Sequence, residues 1–331
     1  MSKEFNYKRL TIILLVLLIG IPCILFYTLN KNSAKNDNKQ NVNESSTATQ
    51  NILLLGTDGR DGEENYRSDS MIIATIDLQN KNIKLTSLAR DTYVNIPGKG
   101  KGKLNAAYFY GKEDLLFKTI KENFKVEIDK YITVDFDNLM NIVFILGGVE
   151  VDVKEHEIEA TNAIIPTSYE TCTYKDKGEM TLLTSSGVQT LNGYQIVAYS
   201  RIRYSDNAIN RDKRQRAVLM SVFGKIKKIA TSNYQSILDE LSPYFSTNLT
   251  SSQILDLAAN AYTSGAIKTI KQGQFPIIDD VHVKGGTYKD AGWVWLYDLN
   301  SICVLRDFIY KDIDMEDNNY LKDNSHIKLN Y

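Results

Sequence analysis

A short segment rich in arginine is where residue types most clearly indicate chemistry. Between residues 199 and 218 the chain carries five arginines and one lysine: Arg201, Arg203, Arg211, Lys213, Arg214 and Arg216. Cations this close together repel one another unless an anion lies among them. The net charge of the chain is only −1, so the protein is not a generally basic polyanion binder and the cluster needs a local explanation.

The pattern around these arginines predicts a helix from residue 209 to about 230. Its apolar residues recur at i, i+3 and i+4, which is typical of a helix with one buried face. Extending that face towards the start of the helix places three residues on the core side, namely Arg211, Arg214 and Gln215. Inward guanidiniums at a helix N-terminus suit a phosphate group, because both backbone amides and side chains donate to it. Pairing with the protein's own carboxylates is an equally good explanation.

A predicted hairpin gathers further charged residues at one sheet edge. The runs SMIIATIDL and NIKLTSLA are rich in β-branched residues and are joined by a short polar turn, which predicts two antiparallel strands. The start of one strand then lies beside the end of the next. The charged residues gathered there are Arg67, Asp69, Arg90 and Asp91. The preceding strand, NILLLG, adds Asp58 if it too is antiparallel.

The aspartates favour a metal-assisted reaction at this edge. One or two carboxylates plus substrate phosphate are the usual ligands of Mg²⁺, so Asp58 and Asp69 are the predicted metal ligands, with Mn²⁺ as the alternative ion. Metal together with arginines is what phosphoryl transfer requires. Taken singly, each aspartate also has the ordinary explanation of a turn residue or helix cap.

The N-terminal region predicts a membrane anchor. Residues 10–29 form a run of twenty residues without a charge, about the length of a membrane-spanning helix. We predict a cytoplasmic stub (1–9), this transmembrane anchor and a flexible, Asn-rich linker (30–50). The lysines and arginines flanking the span are nearly balanced, and the large domain behind one span favours a signal-anchor with the bulk of the chain outside.

The sequence after the linker predicts a folded domain over residues 51–311 and a disordered tail over residues 312–331. Strand and helix patterns mix throughout, which predicts an α/β (α+β) fold with a central mixed, largely antiparallel sheet flanked by helices on both faces. Residues 156–187 carry no clear pattern and are interpreted as irregular.

Other kinds of chemistry are not supported. The three histidines lie in no nucleophile motif, so Ser-His-Asp catalysis is not predicted. Binding of nucleic acid is disfavoured because Arg211 and Arg214 are predicted to point towards the core. Cys172 and Cys303 could pair outside the cytoplasm, although two unrelated small apolar residues are the preferred explanation.

Five sequence blocks resemble the LytR-CpsA-Psr (LCP) family of cell-wall glycopolymer transferases. They follow one another from about residue 51 to residue 230: ILLLGTDGR, YRSDSMIIATID, SLARDTYVNIPGKGKGKLNAAYFYG, YITVDFDNLMNIVFILGGVEVDV and QTLNGYQIVAYSRIRY with NRDKRQ. The resemblance implies a bacterial type II membrane protein with an extracytoplasmic catalytic domain. Its substrate is then a polyprenyl-pyrophosphate-linked glycopolymer, such as teichoic acid or capsule, and its acceptor a peptidoglycan sugar hydroxyl.

The resemblance also implies roles for individual residues. The catalytic residues are Arg90, Asp91 and Arg203, and the Mg²⁺-facing carboxylates are Asp58 and Asp69. Together with the inward Arg214, the predicted pyrophosphate-binding set is Arg67, Arg90, Lys103, Asn105, Arg201, Arg203, Arg211, Arg214 and Gln215. Asp91 resembles a base for the incoming hydroxyl, and an ion pair that positions Arg90 explains it equally well.

A lipid-linked substrate also needs an apolar slot. Two predicted helices offer candidates for it, namely Leu116, Ile120, Leu139 and Val143. Packing of both helices on the sheet is the ordinary alternative.

Two other functions use the same residues. A polyprenyl-pyrophosphate hydrolase would differ only in taking water as the acceptor. A non-catalytic protein that binds or senses lipid pyrophosphate would keep the arginines without needing the three aspartates.

Overall fold

The computed structural model describes residues 49–58, 66–202, 208–227, 240–279 and 281–324. These residues belong to two compact units: the sheet unit, formed by Thr49–Thr133 with Lys271–Tyr331, and the helical unit, which contains Val134–Ile270. The sequence predicts one domain over 51–311. Each unit has a hydrophobic core of its own, and the single domain stays a prediction.

Strands and helices alternate along the described chain. The strands are β1 (Thr49–Thr57), β2 (Ser68–Asp77), β3 (Asn82–Leu88), β4 (Tyr93–Ile96), β5 (Gly100–Lys103), β6 (Lys130–Asp135), β7 (Val149–Val153), β8 (Gly187–Leu191), β9 (Ser246–Thr247), β10 (Ile270–Phe275), β11 (Val283–Thr287) and β12 (Trp293–Tyr297). The helices are α1 (Leu104–Phe124), α2 (Phe136–Ile145), α3 (Glu155–Thr171), α4 (Gly193–Ser200), α5 (Ala208–Lys227), α6 (Ser251–Thr263), α7 (Ile302–Lys311) and α8 (Asn319–Asp323). The predicted mixed α/β fold, with a central sheet and flanking helices, is confirmed.

Among the described residues, the central sheet of the sheet unit has the strand order β10-β3-β2-β1-β6. Strand β2 is antiparallel to both β1 and β3; the pairing with β3 confirms the predicted hairpin, and the pairing with β1 meets the condition set for Asp58. Residues 51–55 of β1 are all buried, which is the pattern of a strand covered on both faces. Smaller two-stranded antiparallel sheets are formed by β4 with β5, β7 with β8 and β11 with β12.

The turn between β2 and β3 follows from its polar residues. Asp77 pairs with Asn82 at the end of the ladder, and its carboxylate accepts hydrogen bonds from the backbone and side-chain nitrogens of Asn80, both at 2.9 Å. Lys81 turns the chain with a positive φ of 53°. The predicted hairpin is therefore closed where the sequence QNKN indicates.

A buried lysine joins this hairpin to the C-terminal region of the sheet unit. Lys84 is completely buried, and its Nζ lies 2.6 Å from Asp77 Oδ2, 3.3 Å from Asp312 Oδ1 and 3.0 Å from the Ile309 carbonyl oxygen. The prediction of a disordered tail from residue 312 is therefore wrong for residues 312–324. Asp312 is held by Lys84, and the chain continues into α8.

Helix α1 is broken near its middle. Gly111 (φ −164°, ψ 28°) and Lys112 (φ 50°, ψ −147°) leave the helical conformation. A Cβ added at Gly111 would lie 2.6 Å from Cβ of Leu115, so the close approach requires glycine. The helix consists of a short first half, residues 104–110, and a longer second half.

The helical unit contains an element that the sequence reading missed. Residues 155–171 form α3, although 156–187 were interpreted as irregular. The buried face of α3 is formed by Glu157, Thr161, Ile165 and Ser168. Three of these four residues are polar, so the helical spacing of the buried face is hidden from a search for apolar residues.

The predicted stub, anchor and most of the linker lie outside the described residues. The linker ends earlier than expected, since Thr49 and Gln50 already belong to β1. No helix within the described ranges is both long and apolar enough to span a membrane.

Candidate active site

The site begins at the turn that follows β3 and carries Arg90 and Asp91. Thr92 closes this turn by donating from its backbone nitrogen to the Ala89 carbonyl oxygen at 3.1 Å. The Arg90 carbonyl oxygen accepts from the backbone nitrogen of Asn105 at 3.1 Å, and that of Asp91 accepts from Trp295 at 2.9 Å. Both peptide carbonyls are therefore fixed, one by the start of α1 and the other by β12.

Four alternating charges surround this turn. The Arg90 guanidinium pairs with Asp69 through Nη1, and its Nε lies 3.3 Å from Asp91 Oδ2. Lys103 Nζ lies 2.9 Å from the other oxygen of Asp91. The Asp69 and Asp91 side chains are 6% and 10% exposed, whereas Arg90 and Lys103 are 22% and 25% exposed. The cations are thus the more accessible part of the cluster.

The neighbouring carboxylates keep Arg90 charged despite its burial. Desolvation lowers the pKa of Arg90, but the charges of Asp69 and Asp91 more than offset it and raise that pKa above its ordinary value. The guanidinium is therefore a fixed cation at any pH at which the protein is folded.

A β-bulge directs Asp69 into the cluster. Gly56 pairs with Ser70 and Thr57 pairs with Ser68, so Asp69 is the extra residue of β2 between these two pairs. A bulge changes the direction of a side chain relative to a regular ladder, and here the Asp69 carboxylate meets the Arg90 guanidinium. A Cβ at Gly56 would come within 3.0 Å of the Ser70 Cβ, so glycine lets the strands approach closely beside the bulge.

Asp58 and Arg67 face each other just beyond the bulge. The Arg67 backbone nitrogen donates to Asp58 Oδ1 at 2.9 Å, and the Asp58 nitrogen donates to the Arg67 carbonyl oxygen at 3.3 Å. The Arg67 Nη1 donates to Asn105 Oδ1 at 3.4 Å. The structure therefore brings Asp58, Arg67, Asn105 and the Arg90 turn to one edge of the sheet unit, and the predicted convergence is confirmed.

The helical unit holds a second group of predicted residues. The predicted burial of Arg211 and Arg214 is confirmed, with 5% and 4% exposure. Arg214 donates to Glu157 Oε1 at 3.3 Å and to the Ile202 carbonyl oxygen at 3.0 Å. These contacts favour pairing with the protein's own carboxylate, the alternative that the sequence left open. Its role in binding pyrophosphate stays a prediction.

The other predicted anion-binding residues of this unit are more accessible. Arg201 caps the end of α4, and its Cζ lies 5.2 Å from the centre of the Phe136 ring. Gln215 is half-buried, and Lys213 is exposed as expected for the solvent side. Arg203 lies outside the described residues. For Arg201, Arg211 and Gln215, pyrophosphate binding stays a prediction.

Most of the chain matches the model of one protein family. The model described as the LytR_cpsA_psr family matches residues 26–302. The chain belongs to the LytR-CpsA-Psr family. It is 32% identical, over 276 residues, to polyisoprenyl-teichoic acid–peptidoglycan teichoic acid transferase TagU of Enterococcus faecalis, with 80% of this chain and 84% of the relative covered. It is 31% identical over 254 residues to the transferase TagT of Bacillus subtilis, with 75% and 71% covered.

Solved structures agree with the LCP fold. Protein gbs0355 from Streptococcus agalactiae superposes with a TM-score of 0.65 and 26% identity, covering 82% of this chain and 89% of that one. A structure described as TagT bound to LIIa-WTA superposes with a TM-score of 0.62 over 84% of this chain and 95% of that one. At 23% identity, the second likeness shows the fold alone.

The candidate lipid-tail residues of this LCP protein are mostly core residues. Leu116 and Ile120 are completely buried in the core of the sheet unit. Val143 is completely buried in the core of the helical unit, and Leu139 packs at its margin. Packing accounts for the first three without a ligand, and a role of any of them in binding a lipid stays a prediction.

The carboxylates suit a divalent cation shared with substrate. Asp58 and Asp69 offer only oxygen donors, which Mg²⁺ and Mn²⁺ prefer. Within the described ranges no group of three or more His, Cys, Asp or Glu side chains could hold a metal alone. Such a site would need substrate phosphate to complete it, and metal binding stays a prediction.

Some contacts of this LCP protein were not anticipated. Glu157, the partner of Arg214, lies in the segment interpreted as irregular. Its signal was the acidic first turn of α3, which contains Glu155 and Glu157. Both described cysteines, Cys172 and Cys303, are free thiols.

Proposed function

We propose that this protein transfers a phosphorylated glycopolymer from a polyprenyl-pyrophosphate carrier to a sugar hydroxyl of peptidoglycan, with Mg²⁺ as cofactor. The observation that carries this proposal is the Arg90 turn. It presents a permanently charged guanidinium, held by Asp69 and Asp91 and fixed through both peptide carbonyls, on a partly accessible edge. The names of the TagU and TagT relatives supply the class of donor and acceptor.

The proposed reaction is a displacement at phosphorus. The acceptor hydroxyl oxygen bonds to the phosphorus that bears the glycopolymer, and the bond from that phosphorus to the bridging oxygen breaks. Polyprenyl phosphate leaves with the bonding electrons, and the hydroxyl proton passes to a carboxylate or to solvent. Because negative charge grows on the bridging oxygen, cations fixed beforehand stabilise the transition state.

The sheet unit supplies three such cations: Arg67, Arg90 and Lys103. All three are held by contacts with other residues, so little reorganisation is needed when the anion arrives. A divalent ion held by Asp58 and Asp69 would add positive charge and polarise the phosphoryl oxygens.

Asp91 has contacts that suit a positioning role. Each of its oxygens is engaged by a cation, Lys103 at 2.9 Å and Arg90 at 3.3 Å. A carboxylate held in this way orients both cations towards the substrate. Action as the base for the acceptor hydroxyl requires Lys103 or Arg90 to release one oxygen when the donor binds.

The proposed location follows from the N-terminal sequence. Residues 10–29 form the single span of a type II membrane protein, with the catalytic part outside the cytoplasmic membrane. The lipid carrier of the donor lies in that membrane, and the peptidoglycan acceptor lies outside it.

The test is an assay of the full-length chain in detergent. A synthetic polyprenyl-pyrophosphate-linked glycopolymer and a peptidoglycan fragment are incubated with the protein, and both polyprenyl phosphate and the glycan conjugate are measured. Lys103→Met is compared with Lys101→Met, because Lys101 lies on the same short strand but is exposed. We expect EDTA and Lys103→Met to lower conjugate formation, Mg²⁺ to restore the EDTA-treated enzyme, and Lys101→Met to behave as wild type.

Other outcomes separate the alternatives. Release of polyprenyl phosphate without conjugate identifies a hydrolase. Tight binding of the donor without turnover identifies a carrier or sensor. Turnover that persists unchanged in EDTA removes Mg²⁺ from the proposal.

A further inference from the structure

Two side-chain contacts join Arg67 to the short first half of α1. Its Nη1 donates to Asn105 Oδ1 at 3.4 Å, and its Cζ lies 5.6 Å from the centre of the Phe109 ring. A guanidinium at this distance from an aromatic ring is attracted to it. Phe109 is half-buried and does not belong to the hydrophobic core of the sheet unit, so core packing does not explain its position.

The residue before Arg67 is held from the same helix. Lys112 Nζ lies 3.6 Å from the centre of the Tyr66 ring and 5.4 Å from that of Tyr108. The two tyrosine rings also contact each other, with centres 5.7 Å apart. The Tyr66 ring thus contacts the Lys112 ammonium group, which lies at the helix break, and the Tyr108 ring, which lies before it.

Lys112 reaches this position through an unfavourable backbone conformation. Its φ of 50° and ψ of −147° lie in a region that glycine adopts easily and side chains with a Cβ avoid. Such strain persists where the surroundings maintain it, and it is concentrated at functional sites. Ending the first half of α1 here places Phe109 against Arg67 and turns Lys112 back over Tyr66.

We propose that Phe109 and Lys112 are positioning residues which, from the break in α1, hold Tyr66 and Arg67 in the geometry that binds the substrate pyrophosphate. The inference rests on the proposed function, because it names how one cation of that site is oriented. It extends the site to two residues that do not touch the anion themselves.

The first experiment is a double-mutant cycle between Phe109→Leu and Arg67→Ala in the full-length protein. The readouts are kcat/KM for the lipid-linked donor and the Kd for inorganic pyrophosphate. Phe109→Leu alone is expected to weaken both about 3- to 10-fold, the range of a partly buried cation–ring contact. In the Arg67→Ala background, Phe109→Leu is expected to change kcat/KM and Kd less than about 2-fold, because the effects of substitutions at coupled residues are not additive.

The controls separate positioning from general packing. Phe109→Tyr keeps the ring and is expected to keep affinity. Phe117→Leu makes the same change beyond the break, where the side chain packs near Tyr131, and is expected to leave pyrophosphate affinity unchanged. Equal losses from Phe109→Leu in both backgrounds would overturn the proposal for Phe109.

The second experiment exploits the strain at Lys112. Lys112→Gly relieves the backbone but removes the cation, so it is expected to raise the melting temperature while lowering kcat/KM. Lys112→Arg keeps the cation and is expected to retain activity. A glycine variant that is as active as wild type overturns the role of Lys112, whatever its stability.

The pyrophosphate measurement keeps the two proposals separable. If the wild-type protein transfers no glycopolymer but the cycle still shows coupling in pyrophosphate binding, the proposed function fails and the positioning inference holds. If transfer occurs and the two substitutions are additive, the positioning inference fails alone.

Discussion

Arg90 in the sheet unit and Arg214 in the helical unit are both bonded to carboxylates, yet their surroundings differ. The Arg214 side chain is 4% exposed, donates to Glu157 and to a backbone carbonyl, and lies within a helical core. The Arg90 side chain is 22% exposed, stands between two carboxylates and lies on a turn at the edge of the sheet. Only Arg90 combines a fixed charge with access for a ligand.

An ion pair by itself therefore does not distinguish an arginine that supports the fold from one that a ligand can reach. At Arg214 the carboxylate neutralises a buried charge, which the interior of the unit requires. At Arg90 the carboxylates hold a charge in place while the cationic face stays accessible. Exposure of the cation and irregular backbone nearby, here the bulge at Asp69, are the features that separate the two.

The largest expected effect comes from breaking the buried pair. Arg214→Met should lower the free energy of unfolding by about 3–5 kcal/mol, because Glu157 is left as a buried, unpaired charge. Denaturant titration followed by circular dichroism measures it. Adding Glu157→Gln should recover part of the loss. An unchanged unfolding curve together with a raised KM for the donor would instead support an anion-binding role for Arg214.

Arg90→Ala should show the opposite separation of stability and activity. Removing one preorganised charge donor typically costs about 10²- to 10³-fold in kcat, and transfer should fall accordingly. The unfolding midpoint should fall less than in Arg214→Met, because Lys103 still pairs with Asp91 when the guanidinium is removed and Asp69 alone loses this ion pair. Arg90→Lys serves as the control, because it keeps the charge but loses the paired contacts. If Arg90→Ala is as active as wild type, the proposed active site is wrong.

A smaller effect is expected from acid acting on the buried pair of the sheet unit. Burial alone raises the pKa of Asp77, but hydrogen bonds from Asn80 and Lys84 outweigh it, so that pKa lies below its ordinary value. The pKa of Asp312 is lowered as well: burial acts against this, but hydrogen bonds from Lys271 and Asn82 and the charge of Lys84 prevail. Because the folded protein then binds fewer protons than the unfolded chain, these groups stabilise it fully above the ordinary aspartate pKa of about 3.9.

That stabilisation should be lost as the pH falls through the lowered values. Urea midpoints measured from pH 6 down to pH 3 should therefore decrease below about pH 4. The double variant Asp77→Asn with Lys84→Met should show a weaker dependence than wild type. If the urea midpoints of wild type and the double variant fall identically with pH, the loss of stability is due to other carboxylates.

The smallest effect is expected at an exposed pair of the helical unit. Lys154 Nζ lies 2.5 Å from Asp152 Oδ2, but the two side chains are 57% and 35% exposed. Lys154→Ala should change the free energy of unfolding by less than about 1 kcal/mol, as solvated pairs do. The backbone contact of Lys154 with Glu157 at 2.9 Å survives the substitution. A loss as large as that of Arg214→Met would show that exposure does not govern these pairs.

The sheet edge could be predicted because antiparallel pairing is a local rule. Once β2 and β3 are recognised as a hairpin, residues before one strand and after the other must be neighbours. Asp69 and Arg90 are 21 positions apart and meet for this reason alone. The burial of Arg211 and Arg214 followed equally from helical spacing.

Other features depend on contacts that spacing does not reveal. Helix α3 was missed because Glu157, Thr161 and Ser168 occupy its buried face, where a search expects apolar residues. The order of residues 312–324 depends on Asp312 meeting Lys84, which lies 228 positions earlier. At the break in α1, Lys112 contacts the Tyr66 ring, which lies 46 positions earlier in the chain and outside the helix.

The bulge at Asp69 makes this region sensitive to chain length as well as to composition. In a regular ladder the side chains of Ser68 and Asp69 would lie on opposite faces of the strand. The one additional residue changes which way Asp69 faces while β2 keeps its pairing with β1 further along. Substitutions at neighbouring positions leave that count intact, whereas deleting one residue between Tyr66 and Ser70 removes the irregularity and turns the carboxylate away from Arg90. The chain length of this stretch is therefore constrained separately from the identity of its residues.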